Sequence, residues 1–564
     1  MVLQTAQIGR VSTSSFAGVA QNMQARCFAP RGALIHSVFH SNGIHRMQRR
    51  GLHSARQASV VARSQATAID QIATAEAPAT SSMTLGPNSD NVCMSGLNGL
   101  SAGGVEGLDS GCFHVAAQQP VLYTVQESLN LLSLDNKSLL RGLLPDSFPA
   151  RLAAEPGSEK QRRFIIIDEN VFDTYGPQLE QLGYQRTAPS PWLITQAGLE
   201  QHKGLNTYSY RKYMRYHGVE CEILPLPTCE PNKSFNLIFQ VAERLEAFKL
   251  NRRKEPIIAI GGGVCLDVAG LAANLYRRNT PLIKIPTTVM AAVDASIGIK
   301  TAVNFHGRKN KMGTYCAPLA VFIDKTFLKT LGDRHLSNGS AEILKMACIK
   351  DGELFELLEE HSAELIQTKF QSPHASTIMR RSIQGMLEEL EYNLWEHILS
   401  RLVDYGHAFS PEIEMAALQG DEALLLHGEA VNIDMALTTQ LAYQRGFISA
   451  EERRRVFGVM RQLGLAIWHE VCTTDVLMQG LEDTTRQRDG IQRVPFMKGI
   501  GEAVFVNDIV REEVELAAQY VSQLHAEQLA EAAHNNGYLA NSITPLEPVP
   551  QSVKHFRREP AMAH

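Results

Sequence analysis

The chain has 564 residues, enough for two or three domains with sizeable cores. A net charge of -5 and 44% hydrophobic residues match a globular composition and exclude a wholesale basic nucleic-acid binder. No run approaches the roughly 18 uncharged apolar residues of a membrane span, so neither a membrane nor nucleic acid is expected as a partner.

The chain begins with a stretch that carries no acid at all before Asp70, while Arg10, Arg26, Arg31, Arg46, Arg49, Arg50, Arg56 and Arg63 stand among Ser, Ala, Gln and Gly. That composition predicts an organelle transit peptide over 1–70. Its Ala/Ser richness favours a plastid, and its preference for Arg keeps a mitochondrion as the alternative. From 71 to 111 the chain is rich in Ser, Gly and Asn without periodicity, and is expected to be a disordered linker. The nine cysteines are scattered without a CxxC pair, which implies reduced thiols.

Residues 112–328 alternate strand and helix signals. The run FIIID ends in Asp168 with Asn170 two residues on, and such an acid can bind ribose hydroxyls or simply cap a helix. CEILP leads to Glu230 and Lys233, and then to a helix with Phe235, Ile238, Phe239, Val241 and Leu245 at helical spacing. The apolar run PIIAI is followed by Gly261, Gly262 and Gly263 and by a small-residue helix with Asp267 expected in its first turn. Three glycines between strand and helix let backbone N–H groups approach an anion, with a tight turn without ligand as the blander alternative. The GxGxxG fingerprint is absent, because Val264, Cys265 and Leu266 follow. KIPTT then predicts a strand with Thr287 and Thr288 at its end. The alternation implies an α/β domain with a largely parallel sheet.

After Leu328 helical periodicity takes over, with helices expected over 340–359, 380–402 and 429–444. The second domain, over 329–533, is therefore expected to be all-helical, and the Pro-rich tail over 534–564 disordered. Glu342 and Lys345 share a helix face, while His407 and His427 each adjoin glycine. One Glu and two His match a catalytic zinc set, although residues so far apart in sequence carry that reading weakly. Arg278, Lys300, Arg308, Lys309 and Lys311, with Asn304 and Asn310 among them, form a cationic, Gly-containing loop region suited to a phosphate ester. No RRM, KH or helix-turn-helix signature accompanies it.

The ordered motifs GGGVCLDVAG, RRNTPLIKIPTT, DASIGIKTAVN, GRKNKMGTY, NGSAEILKMA, YGHAFSPEIE and LHGEAVNIDMA resemble the dehydroquinate synthase-like sugar phosphate cyclases over about residues 112–515. The resemblance implies an NAD-binding α/β domain, a helical domain, a Zn²⁺ or Co²⁺ ion between them, and a homodimer. It places the metal on Glu342, His407 and His427. It places NAD on Asp168, Asn170, Glu230, Lys233, Gly262, Gly263, Asp267, Thr287, Thr288, Asp294, Lys300 and Lys309. The sugar phosphate would meet Asp294, Lys300, Asn310, Lys345, His407 and His427, with Arg278 reaching a neighbouring subunit's site.

One departure bears on the substrate. Dehydroquinate synthases carry GHTFGH, and the second histidine of that motif is Pro411 here, whose side chain neither donates a hydrogen bond nor moves a proton. The upstream lysine and arginine placement is also missing, Arg401 being only a near match. Both changes imply a substrate without the carboxylate. The pattern resembles the sedoheptulose 7-phosphate cyclases, and HGEAVNIDMA is most similar to the motif of the 2-epi-5-epi-valiolone synthases. The implied reaction is NAD- and zinc-dependent cyclisation with loss of phosphate.

Overall fold

A computed structural model describes residues 104–106, 114–116, 121–141, 161–175, 210–252, 254–419 and 425–534. The transit peptide expected over 1–70, most of the linker and the tail after His534 lie outside the described residues. The chain divides into two compact units, Met1–Ala116 and Ala117–His564. In the first, β1 (Gly104–Glu106) pairs antiparallel with β2 (His114–Ala116). A strand thus stands inside the stretch expected to be linker, and three residues are too few to set a readable alternation.

The second unit opens with β3 (Thr124–Glu127), α1 (Ser138–Arg141), β4 (Arg162–Asp168), α2 (Glu169–Tyr175), α3 (Tyr210–Tyr216) and β5 (Glu220–Leu226). Then come α4 (Phe235–Phe248), β6 (Ile257–Gly261), α5 (Gly263–Leu275), β7 (Leu282–Pro286), the hairpin β8 (Lys300–Phe305) and β9 (Arg308–Tyr315), and β10 (Ala320–Ile323). Six of these strands form one parallel sheet in the order β3-β10-β7-β6-β4-β5. Phe164, Ile165, Ile166 and Ile167 of β4 are fully buried. Phe164 and Ile166 pack with Leu237, Val241 and Leu266 of α4 and α5, while Ile165 and Ile167 pack with Tyr213, Met214 and Phe322. A strand covered on both faces needs this unbroken apolar run.

The chain runs from β4 out to β5, then crosses back over β4 to β6. Strand order therefore reverses between β4 and β6, and in open α/β sheets ligands bind at the carboxyl ends of strands flanking such a reversal. Asp168 and Gly261 are the last residues of those two strands.

The helical half comprises α6 (Asp333–Ile349), α7 (Gly352–Gln367), α8 (Ala375–Glu391), α9 (Ser410–Gln419), α10 (His427–Gln444), α11 (Ala450–Gln462), α12 (Thr474–Gln487) and α13 (Arg511–His534). A short antiparallel pair, β11 (Val494–Met497) and β12 (Ala503–Val506), interrupts them, so this half is not purely helical. The single helix expected over 340–359 is two helices, since Asp351 caps α7 by accepting from Leu354 N at 3.0 Å. The helix expected over 380–402 ends at Glu391, and residues 392–401 form an irregular loop. The cationic stretch expected to be a loop is instead β9, paired with β8 around a turn with His306 and Gly307 at positive φ. Asp267 sits beyond the first turn of α5.

Candidate active site

The carboxyl edge of the sheet gathers many of the residues singled out in the sequence. Gly261 pairs with Pro286, so the glycine turn lies beside Thr287 and Thr288 after β7. A Cβ on Gly261 would stand 2.6 Å from Cys265 Cβ and 3.0 Å from Asp168 Cβ, so the turn is too tight for any side chain. On Gly262 it would meet Thr288 Cγ2 at 3.3 Å, whereas Gly263 has ordinary room. Asp168 accepts from Asn170 N at 2.9 Å and Val171 N at 3.3 Å, capping α2 as the blander reading allowed, and Thr228 Oγ1 donates to its other oxygen. Burial raises its pKa.

Lys233, buried, donates to Asn310 Oδ1 at 2.6 Å and pairs with Asp267 Oδ2 at 2.6 Å. The hairpin therefore leans over the start of α5. Glu230 accepts from Asn304 Nδ2 at 2.9 Å and lies 3.6 Å from Lys309 Nζ. Burial works against its charge, but Lys309 and Lys233 outweigh it and lower its pKa.

The helical half supplies the second wall. Glu342 on α6 is buried, and Lys345 of the same helix is in direct contact with its Oε2. Donor atoms of Glu342, His407 and His427 lie within 4.8 Å of one another. His427 heads α10 with Nε2 3.7 Å from Glu342 Oε1 and Nδ1 3.1 Å from Glu414 Oε1. His407 Nδ1 lies 3.1 Å from Tyr405 O. In both imidazoles the outer nitrogen is thus engaged, which leaves Nε2 for a ligand. Two such nitrogens beside a buried carboxylate fit a divalent ion of zinc's kind. Burial, then Lys345 and His427, push the pKa of His407 down to about 3, so the ring is neutral. Burial also opposes charge on His427, but Glu414 outweighs it and raises that pKa.

Between the walls, a π-helical turn, Ala291–Ala295, carries Asp294. The charge of Asp294 raises the pKa of Lys345 against burial, and Glu342 does so more strongly. Lys300 contacts Glu396 of the irregular loop. Water reaches the Lys300 side chain, yet the protein packed around the ammonium and then the Arg401 cation lower its pKa to about 8. Arg401 contacts Glu396 and pairs with Asp404 at 2.7 Å, and Asp404 also takes Arg488 at 2.8 Å. Pro411 stands at the second residue of α9, where a missing N–H costs nothing.

Arg278 is not part of this assembly. It follows α5 and precedes β7, at the amino edge of the sheet, in a cavity of about 580 Å³ shared with Lys249, Asn251, Arg252 and Arg277. Sequence reasoning missed Glu414, Lys284, Asp404 and Glu396. Glu414 lies within the quoted motif YGHAFSPEIE, but a carboxylate on a helix gives no sign of its partners until the histidine and hairpin converge on it. Lys284 is fully buried on β7 and donates to Ala295 O at 3.2 Å and Gly298 O at 3.1 Å, propping the turn that carries Asp294.

Known proteins resemble this chain in sequence and fold. Models of the 3-dehydroquinate synthase N-terminal and C-terminal portions match residues 223–338 and 339–486. A 2-epi-5-epi-valiolone synthase of Actinomyces is 44% identical over 414 residues, 72% of this chain and 97% of that protein. A demethyl-4-deoxygadusol synthase of Trichormus variabilis is 40% identical over 313 residues, 54% of this chain and 75% of that one. The solved 2-epi-5-epi-valiolone synthase of Streptomyces hygroscopicus, with NAD⁺ and Zn²⁺ bound, superposes with a TM-score of 0.62 at 43% identity, covering 73% of this chain and 99% of the other. Similar to the Actinomyces and Streptomyces hygroscopicus proteins across almost their whole length, the chain belongs to the 3-dehydroquinate synthase-like family of sugar phosphate cyclases.

Proposed function

We propose that this enzyme cyclises sedoheptulose 7-phosphate to 2-epi-5-epi-valiolone, eliminating phosphate, with Zn²⁺ held by Glu342, His407 and His427 and NAD along the carboxyl edge of the sheet. The observation that carries the reading is the convergence of those three donors beside Lys345 and Asp294. When bound, the ion polarises sugar hydroxyls and the nicotinamide provides a transient oxidation at one carbinol carbon. Gly262 and Gly263 stand at the N-terminus of α5, where first-turn N–H groups suit the charge of a pyrophosphate. Glu230, Lys233 and Asp267 line the adjacent edge, and Asp168, Asn170, Thr287 and Thr288 complete the proposed cofactor cleft.

Lys345 is neighbour to Glu342 and Asp294 and stays protonated, so it can orient a phosphate or hydroxyl oxygen at the reacting end. Lys300 and Asn310 bring a cation and an amide from the hairpin toward the same space. Pro411, in place of a histidine, leaves the site without a proton-transfer group there, which supports a substrate lacking the carboxylate of dehydroquinate precursors. We also propose a homodimer in which Arg278 serves the neighbouring subunit, and import into a plastid through residues 1–70.

Incubating the protein with sedoheptulose 7-phosphate, NAD⁺ and Zn²⁺ and identifying the product by NMR tests the reading. The expected product is 2-epi-5-epi-valiolone. Formation of demethyl-4-deoxygadusol would move the enzyme to the sister activity. Turnover of the heptulosonate phosphate alone would make it a dehydroquinate synthase.

A further inference from the structure

Away from the sheet, α7 and α8 bring together a second set of nitrogen and oxygen donors that shares no residue with the first. His361 and Glu364 stand three apart on α7 and so share a helix face, and His374 stands directly before α8. Donor atoms of all three lie within 4.8 Å of one another. His361 Nδ1 is 3.6 Å from Glu364 Oε2, and the two imidazoles stack with centroids 3.7 Å apart and planes 12° from parallel. Glu360 lies 3.8 Å from His361 Nε2. All three residues are half-buried, so the donors are screened from bulk water without being sealed from it.

We propose that His361, Glu364 and His374 form a second metal site, for a divalent transition ion of zinc's type. Two imidazoles and one carboxylate suit Zn²⁺, Ni²⁺, Co²⁺ or Cu²⁺, and disfavour Mg²⁺ and Ca²⁺, which demand oxygen donors. Bonds of about 2.0–2.1 Å place tetrahedral donors about 3.4 Å apart, so the donors are close enough, and one imidazole turns out of the stack until both ring planes meet at the ion, with water as the fourth ligand. The linker between the helices holds Lys369 and Phe370 at φ of 51° and 60°, and an ion bridging its two flanks fastens the α7–α8 hairpin. Since α8 packs on the Ala291–Ala295 turn, that clamp reaches the wall of the cleft.

Zinc bound per chain, measured by elemental mass spectrometry on the full-length protein stripped with chelator and dialysed against zinc, tests the site. His427→Ala, which removes a ligand of the first site, is expected to retain one ion that is lost in the His427→Ala/His374→Gln double variant. His374→Gln alone is expected to lose one ion while keeping its turnover at saturating zinc. Glu364→Gln changes the exposed end of the set and checks the same loss should the His374 variants fail to fold. Equal zinc content in His427→Ala and in both double variants carrying His374→Gln or Glu364→Gln would overturn the second site, while full zinc in His427→Ala with loss in His374→Gln would overturn only the first.

Discussion

Glu414 joins the two halves of the cleft through one carboxylate. Its oxygens accept from Lys309 Nζ at 3.0 and 3.1 Å, and one lies 3.1 Å from His427 Nδ1. Burial alone would raise its pKa, but Lys309 and His427 hold it well below the usual carboxylate range. A partner of this kind fixes a metal-binding imidazole and raises its basicity. Glu414→Gln is therefore expected to weaken zinc binding by about 10- to 100-fold, measured by competition with a chelator; unchanged affinity would remove Glu414 from the metal's support. Lys300 makes a second residue-scale prediction. With its pKa lowered to about 8, the ammonium loses its proton as pH rises through that value, so KM for an anionic sugar should climb above about pH 8. In Lys300→Arg that limb should vanish, since guanidinium stays charged. A limb at the same pH in both proteins would place the titration elsewhere. At this scale the sequence names groups that use chemistry of their own, such as Glu342 and His427. It does not name Glu414 or Glu396, because an acid becomes a partner only when another element arrives.

The sheet was the most legible element. Unbroken runs such as FIII and PIIAI give parallel strands because both faces are covered, and the glycine turn marks the strand-to-helix corner. The helical half was less legible, since α6 and α7 are both buried on the side where Asp351 breaks the chain, and apolar periodicity continues across that break. The hairpin was hidden for another reason: Arg308, Lys309 and Lys311 on β9 are strand residues chosen for charge, and composition alone assigns such residues to a loop. The π-helical turn depends on Lys284 for its shape. Lys284→Met leaves Ala295 O and Gly298 O without that donor. It is expected to lower stability by about 1–3 kcal/mol in denaturant unfolding and to reduce turnover through Asp294. A stable variant with full activity would show that the turn stands without its prop.

Across the molecule, the cleft is closed by charge pairs between the hairpin and the helical half: Lys309 with Glu414, Arg308 with Asp483 at 3.1 Å, and Lys300 with Glu396. A sugar phosphate bound there would compete for these cations. Arg278, at the amino edge beside Arg252 and Arg277, would serve catalysis through a neighbouring subunit of the homodimer we propose. Light scattering is expected to give a dimer, and mixing Arg278→Ala with Lys345→Ala chains should restore some activity, since one hybrid site then has both residues intact. A monomer with full activity would end that proposal. The enzyme is expected to return its hydride and expel phosphate within one turnover, unlike a dehydrogenase. The direct test follows phosphate release and reduced nicotinamide together while the zinc-loaded protein consumes sedoheptulose 7-phosphate with NAD⁺. One phosphate per sugar without accumulating NADH is the predicted result, and NADH accumulating without phosphate would contradict it.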